Sequence, residues 1–145
     1  MNLRRLSVLA FAVMVLGLLW LLRRQEVLAR SLPALVIQGC AVGLMIAARV
    51  TFGRRSFHAS ANPTDGGLVT TGPYRWLRHP IYSAILYFVW TAAIDHRSAG
   101  AWAAAALVTI GACVRMYAEE TLLIGRYPEY AAYSVRTARV IPFVL

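Results

Sequence analysis

Residues 6–22 read LSVLAFAVMVLGLLWLL, 17 positions without a charge. As an α-helix this run reaches about 25 Å, close to the hydrocarbon thickness of a bilayer. A surface helix of a soluble protein keeps a polar face; this one has none, so lipid is its natural solvent. Three more apolar blocks follow, Leu32–Ala48, Ile81–Ile94 and Ala99–Val114, within a chain that is 59% hydrophobic and only 14% charged. The second block matches the first in length. The third has 14 residues, about 21 Å as a helix, short for a full span even if it starts at Pro80. The expected fold is all-α: a polytopic membrane protein with about four transmembrane helices in a single domain, since 145 residues leave room for one.

Arg4 and Arg5 precede the first block, as in a signal peptide. The run is longer than a signal core, however, no small-x-small cleavage site follows, and Arg23 and Arg24 come directly after it. A retained membrane helix is expected. All 15 basic residues are arginines and the formal charge is +9. They gather at the ends of the apolar blocks, where lipid headgroups lie. No basic stripe interleaved with aromatics offers a nucleic-acid surface. With four spans, 11 arginines fall on the side of the long 51–79 loop and 4 on the other, which predicts cytoplasmic termini and a cytoplasmic loop. Cys40 and Cys113 sit inside apolar blocks, form no CxxC pair and read as small buried hydrophobes.

Ser31-Leu32-Pro33 reads as a helix start, with a hydroxyl cap and proline in the first turn; the second helix is expected to end near Arg49. From Thr51 to His79 come Asn62-Pro63-Thr64-Asp65-Gly66-Gly67 and Thr70-Thr71-Gly72-Pro73, turn signals that predict a loop rather than a regular element. So long a loop in so small a domain is commonly functional. Asp95-His96-Arg97-Ser98 predicts a tight polar turn. Blocks three and four then form a close helical hairpin, with Ala101, Ala103, Ala104, Ala105 and Gly111 allowing near backbone approach. Beyond Val114 the pattern becomes amphipathic, and the tail is expected to be helical in pieces, broken at Gly125 and Pro128 and ended by Pro142. The chain divides into two N-terminal helices (1–50), the loop (51–79), and the hairpin with a short amphipathic C-terminal helix (80–145).

Two polar clusters fall at the same expected end of the hairpin. One is Gly72-Pro-Tyr-Arg-Trp-Leu-Arg-His-Pro-Ile-Tyr82, entering block three; the other is Glu119-Glu120, leaving block four. Antiparallel neighbours would bring them together, giving two carboxylates, two guanidinium groups, an imidazole and two phenols at one membrane-proximal spot. Charge half-buried at a membrane is costly unless paired or used. Singly, each residue has a bland role. Arg75 and Arg78 suit lipid phosphates, Arg115 suits Glu119 one turn on, His79 suits a cap, and adjacent glutamates suit a solvated helix end. Only the combination argues for chemistry. His58, His79 and His96 have no metal-ligand spacing with each other or with cysteine, so no metal is expected.

The 72–82 stretch resembles the signature of the isoprenylcysteine carboxyl methyltransferase family and of phospholipid methyltransferase-like integral membrane enzymes. Glu119-Glu120 resembles their paired-glutamate motif. The tail Glu129-Tyr130-Ala-Ala-Tyr133-Ser-Val-Arg136, followed by Ile141-Pro142-Phe143, is similar to their closing pattern. The resemblance runs from about Gly67 to the last residue. It implies an enzyme that binds S-adenosylmethionine near the cytoplasmic face of the membrane. Carried over, Tyr74, Arg78, His79, Pro80, Tyr82, Glu119 and Glu120 become cofactor-binding residues. Arg136, after the Tyr-x-x-Tyr pattern, and Arg78 become the residues at the methyl-accepting group. The implied substrate is a lipophilic small molecule partitioned in membrane lipid, a carboxylate by analogy.

The residue chemistry is compatible with this reading. A glutamate can pair with the cofactor's ammonium or lie near its sulfonium, Arg78 or His79 can hold its carboxylate, and Tyr74, Trp76 or Tyr82 can stack or face the cation. Ser83-Ala84 stands where many relatives carry glycine, and Gly125-Arg-Tyr-Pro-Glu129 replaces a Phe-Gly-x-Glu form. No glycine-rich strand-turn-helix fingerprint is present, so binding in the Rossmann manner is excluded. Two alternatives use the same scaffold: an NADPH-dependent, sterol-reductase-like enzyme, and a non-catalytic membrane protein. The glutamate pair weighs against the first, because a dinucleotide phosphate prefers arginine.

Overall fold

The computed structural model describes residues 3–53 and 67–142, and these are all-helical apart from turns and one isolated β-bridge. Five α-helices follow one another: α1 (Leu3–Arg23), α2 (Leu32–Phe52), α3 (Pro80–His96), α4 (Ala99–Arg126) and α5 (Tyr130–Arg136). A short 3-10 turn, Gly72–Arg75, precedes α3. Helices α1, α2 and α4 are each long and apolar enough to cross a membrane. Helix α3 has 17 residues, about 26 Å at 1.5 Å per residue. In lipid an α-helix satisfies its backbone internally, which is why apolar runs of this length settle as helices.

The helices are ordered in space α1–α4–α3–α2, each packing on the next. Helix α1 buries Ser7, Ala10, Met14, Gly17 and Leu21, one stripe at three- and four-residue spacing. Its partner surface on α4 is made of small residues. A Cβ on Gly111 would lie 2.5 Å from Met14 Cγ and 2.7 Å from the Ala10 carbonyl, and one on Gly17 would lie 2.8 Å from Val108. The small residues of block four therefore admit α1 as well as serving the α3 side, and Ala103 points outward. Large apolar side chains such as Leu16, Leu19, Val36, Ile46 and Ile110 cover the outside, where lipid rather than water is the favourable neighbour.

Several sequence expectations shift. Helix α2 continues past Arg49 to Phe52, and the 51–79 loop carries the 3-10 turn. Gly72 has φ +55, and a Cβ there would sit 2.5 Å from Thr51 Oγ1, so this position needs glycine both for its left-handed backbone and for space. Tyr74 then packs its ring on Phe52 at 5.5 Å, seating the 3-10 turn on the end of α2. Residues 54–66 of that loop, with the Asn62–Gly66 turn signal, and Phe143 lie outside the described residues. Helix α4 runs straight through Gly125 to Arg126, and the break comes at Tyr127–Pro128 alone. An isolated glycine costs a helix only about 1 kcal/mol, whereas a proline removes an N–H and clashes with the preceding turn. Cys40 and Cys113 are exposed on the apolar exterior, not buried.

Between α3 and α4 the chain turns on two residues. Arg97 takes the left-handed C-cap at φ 54, and Ser98 caps α4, its hydroxyl accepting the Ala101 N–H at 3.0 Å. The segment joining α1 to α2 is clamped to this turn. Ser98 donates to Glu26 at 2.8 Å, Asp95 accepts from the backbone of Arg30 and Ser31, and His96 bonds the Leu28 carbonyl at 2.7 Å. Just inside the bundle, buried Gln38 accepts from Ala29 N at 2.9 Å and donates to the carbonyls of Val27 and Phe88. These bonds satisfy backbone groups that a helix start and a turn leave open.

Candidate active site at the opposite end

Proline at position 80 begins α3, and its missing N–H is one the helix start would not have used. The two residues before it turn their amides elsewhere. Arg78 N donates to the Ala138 carbonyl at 2.7 Å, His79 N to the Arg139 carbonyl at 3.2 Å, and Ala138 N to the Trp76 carbonyl at 2.9 Å. This short parallel pairing draws the segment after α5 alongside the Arg78–His79 corner. Ser83 and Tyr87, on successive turns of α3, extend it by donating to the Val140 carbonyl at 2.8 and 2.6 Å. Ser83 is fully buried and ties the tail to α3.

Helix α4 brings Glu119 and Glu120 to the same place. His79, 5% exposed, lies 3.1 Å from Glu120 Oε1 through Nε2 and 3.9 Å from Glu119 Oε2 through Nδ1. Arg139 Nη2 donates to Glu120 Oε2 at 2.8 Å, and Arg78 Nε stands 3.6 Å from Glu120 Oε1. Tyr82 donates to Glu119 at 2.5 Å while accepting from Arg115 Nε at 2.6 Å. Arg115 completes the arrangement: it is buried, reaches Glu119 at 3.2 Å, and donates to the Ser7 carbonyl of α1 at 3.2 Å. Residues from α1, α3, α4 and the tail therefore meet around two carboxylates. Interlocked ion pairs of this kind tolerate burial because each charge has a partner.

Of the predicted residues, Arg78, His79, Tyr82, Glu119 and Glu120 are brought together, with Pro80 buried beside them as the first residue of α3. Tyr74 is buried below the corner, its carbonyl accepting the Tyr133 hydroxyl at 2.7 Å. Arg136 stands apart. It is exposed on α5, and its side-chain hydrogen bond goes to the Ala132 carbonyl of the same helix. Three members of the cluster do not stand out in the sequence. Arg115 reads there only as a partner for Glu119, Arg139 only as part of an amphipathic tail, and Tyr130 only as part of a closing pattern. The four-residue spacing of Arg115 and Glu119 is a signal; the tail contacts have none, because the parallel pairing joins residues far apart in the chain.

Helix α5 supplies two buried tyrosines whose rings lie 5.9 Å apart. Burial pushes the Tyr133 phenol up to about 12. Burial first, then the charge of Glu120, holds the Tyr130 phenol well above its ordinary range, and burial with Tyr133 does the same for Tyr74. All three remain neutral hydrogen-bond donors at physiological pH.

Inward from the polar cluster lies an open apolar groove of about 140 Å³ between α1, α2 and α3, lined by Leu18, Val42, Met45, Ile85 and Phe88 among others. Its α3 wall begins at Ala84, two residues after Tyr82. A groove with so apolar a lining suits a greasy tail.

Searches of curated proteins and of solved structures return no match. A family model described as PEMT, phospholipid methyltransferase, matches residues 31–130. That span is more than two thirds of the chain and contains the His79, Tyr82, Arg115, Glu119 and Glu120 contacts. With three helices able to span a bilayer and a match of this extent, the chain is an integral membrane protein that belongs to the phospholipid methyltransferase family of membrane methyltransferases.

Proposed function

We propose that this protein uses S-adenosylmethionine to methylate a lipophilic, membrane-partitioned acceptor. The observation that carries the reading is the meeting of the Arg78–His79 corner with Glu119 and Glu120, inside the family-matched span. The donor set fits the cofactor. Its ammonium calls for carboxylates, its carboxylate for a guanidinium, and its sulfonium for a site that is negative but not nucleophilic. When bound, S-adenosylmethionine supplies an electrophilic methyl group on sulfur. Glu120 holds the ammonium, oriented by its bond from His79 Nε2. Glu119, fixed by Tyr82 and Arg115, would offer its negative charge to the sulfonium. Arg78 takes the carboxylate.

Methyl transfer to an ionised acceptor needs no general base, so alignment and exclusion of water supply most of the rate. Arg136, exposed on α5, orients an acceptor carboxylate at the membrane surface, and the groove along Ile85 and Phe88 receives the lipophilic tail. In this reading α3 is a fourth span and forms a close hairpin with α4. Residues 80–145 make the cofactor-binding part, and the excess of arginines puts the cluster and both termini on the cytoplasmic face.

Binding of radiolabelled S-adenosylmethionine to purified protein, run against NADPH, tests the cofactor. Binding is expected for the first and not the second, and is expected to be lost in Glu120→Ala and His79→Ala with folding intact. Wild-type affinity in both variants means the residues are misassigned. Methyl acceptance by a panel of lipophilic acids, amines and thiols then tests the substrate, with acids expected to be favoured. If amines or thiols are methylated instead, Arg136 has no anion to orient.

A further inference from the structure

We infer that Tyr130 Oη and Arg78 Nε form a two-donor seat for the carboxylate of the bound cofactor, an inference that rests on the methyltransferase reading above. Among the described residues, three buried side-chain atoms lack a hydrogen-bond partner: Arg78 Nε, Tyr130 Oη and His96 Nδ1. The first two belong to the charged cluster; the third is at the other end of the bundle. Buried polar groups are nearly always paired, and leaving one unmade is costly. Two in one site call for a common explanation.

The neighbouring tyrosine sharpens the contrast. Tyr133 has its hydroxyl bonded to the Tyr74 carbonyl at 2.7 Å, whereas Tyr130, on the same short helix and only 2% exposed, has no such acceptor. For packing alone, phenylalanine would fill the space of Tyr130 without an unsatisfied hydroxyl. Arg78 is similarly half used. Its Nη1 donates to the Ser134 carbonyl at 2.6 Å, while its Nε faces Glu120 from 3.6 Å, too far for a hydrogen bond. Ser134, whose carbonyl receives Arg78 Nη1, stands one turn after Tyr130 on α5, so the guanidinium is anchored to the helix that carries the phenol.

The chemistry of the two groups selects the ligand. A guanidinium N–H can only donate and is permanently charged, and a neutral phenol donates readily. Two donors, one cationic, match a carboxylate and reject an ammonium. The glutamates have the opposite preference, so the two poles of an aminocarboxylate are separated between Arg78 with Tyr130 and Glu119 with Glu120. Arg139, 62% exposed and bonded to Glu120 at 2.8 Å, is the most solvent-open of the arginines paired with the two glutamates.

Equilibrium binding of S-adenosylmethionine and of its decarboxylated analogue, to the full chain in lipid nanodiscs, tests the seat. Tyr130→Phe is expected to lose affinity for S-adenosylmethionine by about tenfold, the worth of one hydrogen bond to a charged group. It is expected to keep its affinity for the decarboxylated analogue and to melt, without ligand, at or above the wild-type temperature. Tyr133→Phe is the control, melting lower while keeping the preference for the carboxylate-bearing ligand. An equal loss for both ligands in Tyr130→Phe, or no loss for either, overturns the seat. If the wild type binds neither ligand, the cofactor assignment itself falls and the seat with it.

Discussion

At one end of the bundle Asp95 holds the backbone amides of Arg30 and Ser31 and the Ser31 hydroxyl; at the other, Glu119 and Glu120 hold side chains, three of them arginines. Carboxylate is the common element, yet the commitments differ. Asp95 accepts from the amides of Arg30 and Ser31, and the loop cannot keep its shape without those bonds. Glu120 is bonded by the imidazole of His79 and by an exposed arginine, and flexible side chains exchange partners with little disturbance of the backbone. Asp95, bound to main chain, is committed to structure, whereas Glu119 and Glu120, bound to side chains, can exchange partners for a ligand. Arg78 Nε and Tyr130 Oη, both without a hydrogen bond, stand at the exchangeable end, and that end is where chemistry is expected.

The largest effect should come from cutting the exchangeable end without deforming it. Glu120→Gln keeps the shape and removes the charge, and cofactor affinity should fall on the order of 100-fold, as when one partner of a close charge pair is lost. Titration with labelled cofactor checks this, and an affinity close to that of wild type would remove Glu120 from the site. At the other end, Gln38→Leu strands the Ala29 amide and the carbonyls of Val27 and Phe88. It should cost about 1–3 kcal/mol of stability, seen as a lower melting temperature, with cofactor affinity per folded molecule unchanged. Altered affinity there would mean that the two ends are coupled.

Ser98→Ala removes both the cap of α4 and the bond to Glu26 and should cost about 1 kcal/mol, again without touching affinity. The smallest effect belongs to Tyr133→Phe, about 0.5–1.5 kcal/mol for one neutral hydrogen bond. Here the pH dependence has a definite sign. Because burial raises the Tyr133 phenol to about 12, its contribution is complete below the ordinary tyrosine value and disappears as pH rises from about 10 to 12. Melting curves of wild type and Tyr133→Phe should converge over that window; a constant gap would mean that the phenol's burial is not what sets the difference.

Much of the site is legible before any helix is placed. The Arg78-His79-Pro80 corner and the Glu119-Glu120 doublet are local motifs at the mouths of apolar blocks, and an antiparallel turn at Arg97–Ser98 must bring such mouths together. Arg139 and Tyr130 cannot be placed the same way. Their positions depend on the pairing of Ala138 with Leu77, which is a backbone contact with no side-chain pattern to announce it. Gln38 shows the same limit at the structural end: one amide in an apolar run says nothing about which carbonyls it will meet.

Composition and periodicity alone determined that this is an all-helical membrane protein, because a long uncharged run has one stable solution in lipid, a helix with its backbone bonded to itself. They also determined which residues carry charge at the membrane boundary. Which acids were committed to the backbone and which were left to side chains was decided only by tertiary packing. The close approach of α1 to α4 at Gly17 and Gly111, and the return of the tail along α3, bring together groups far apart in the chain, and hydrogen bonds between such groups depend on distance in space and not on order in sequence.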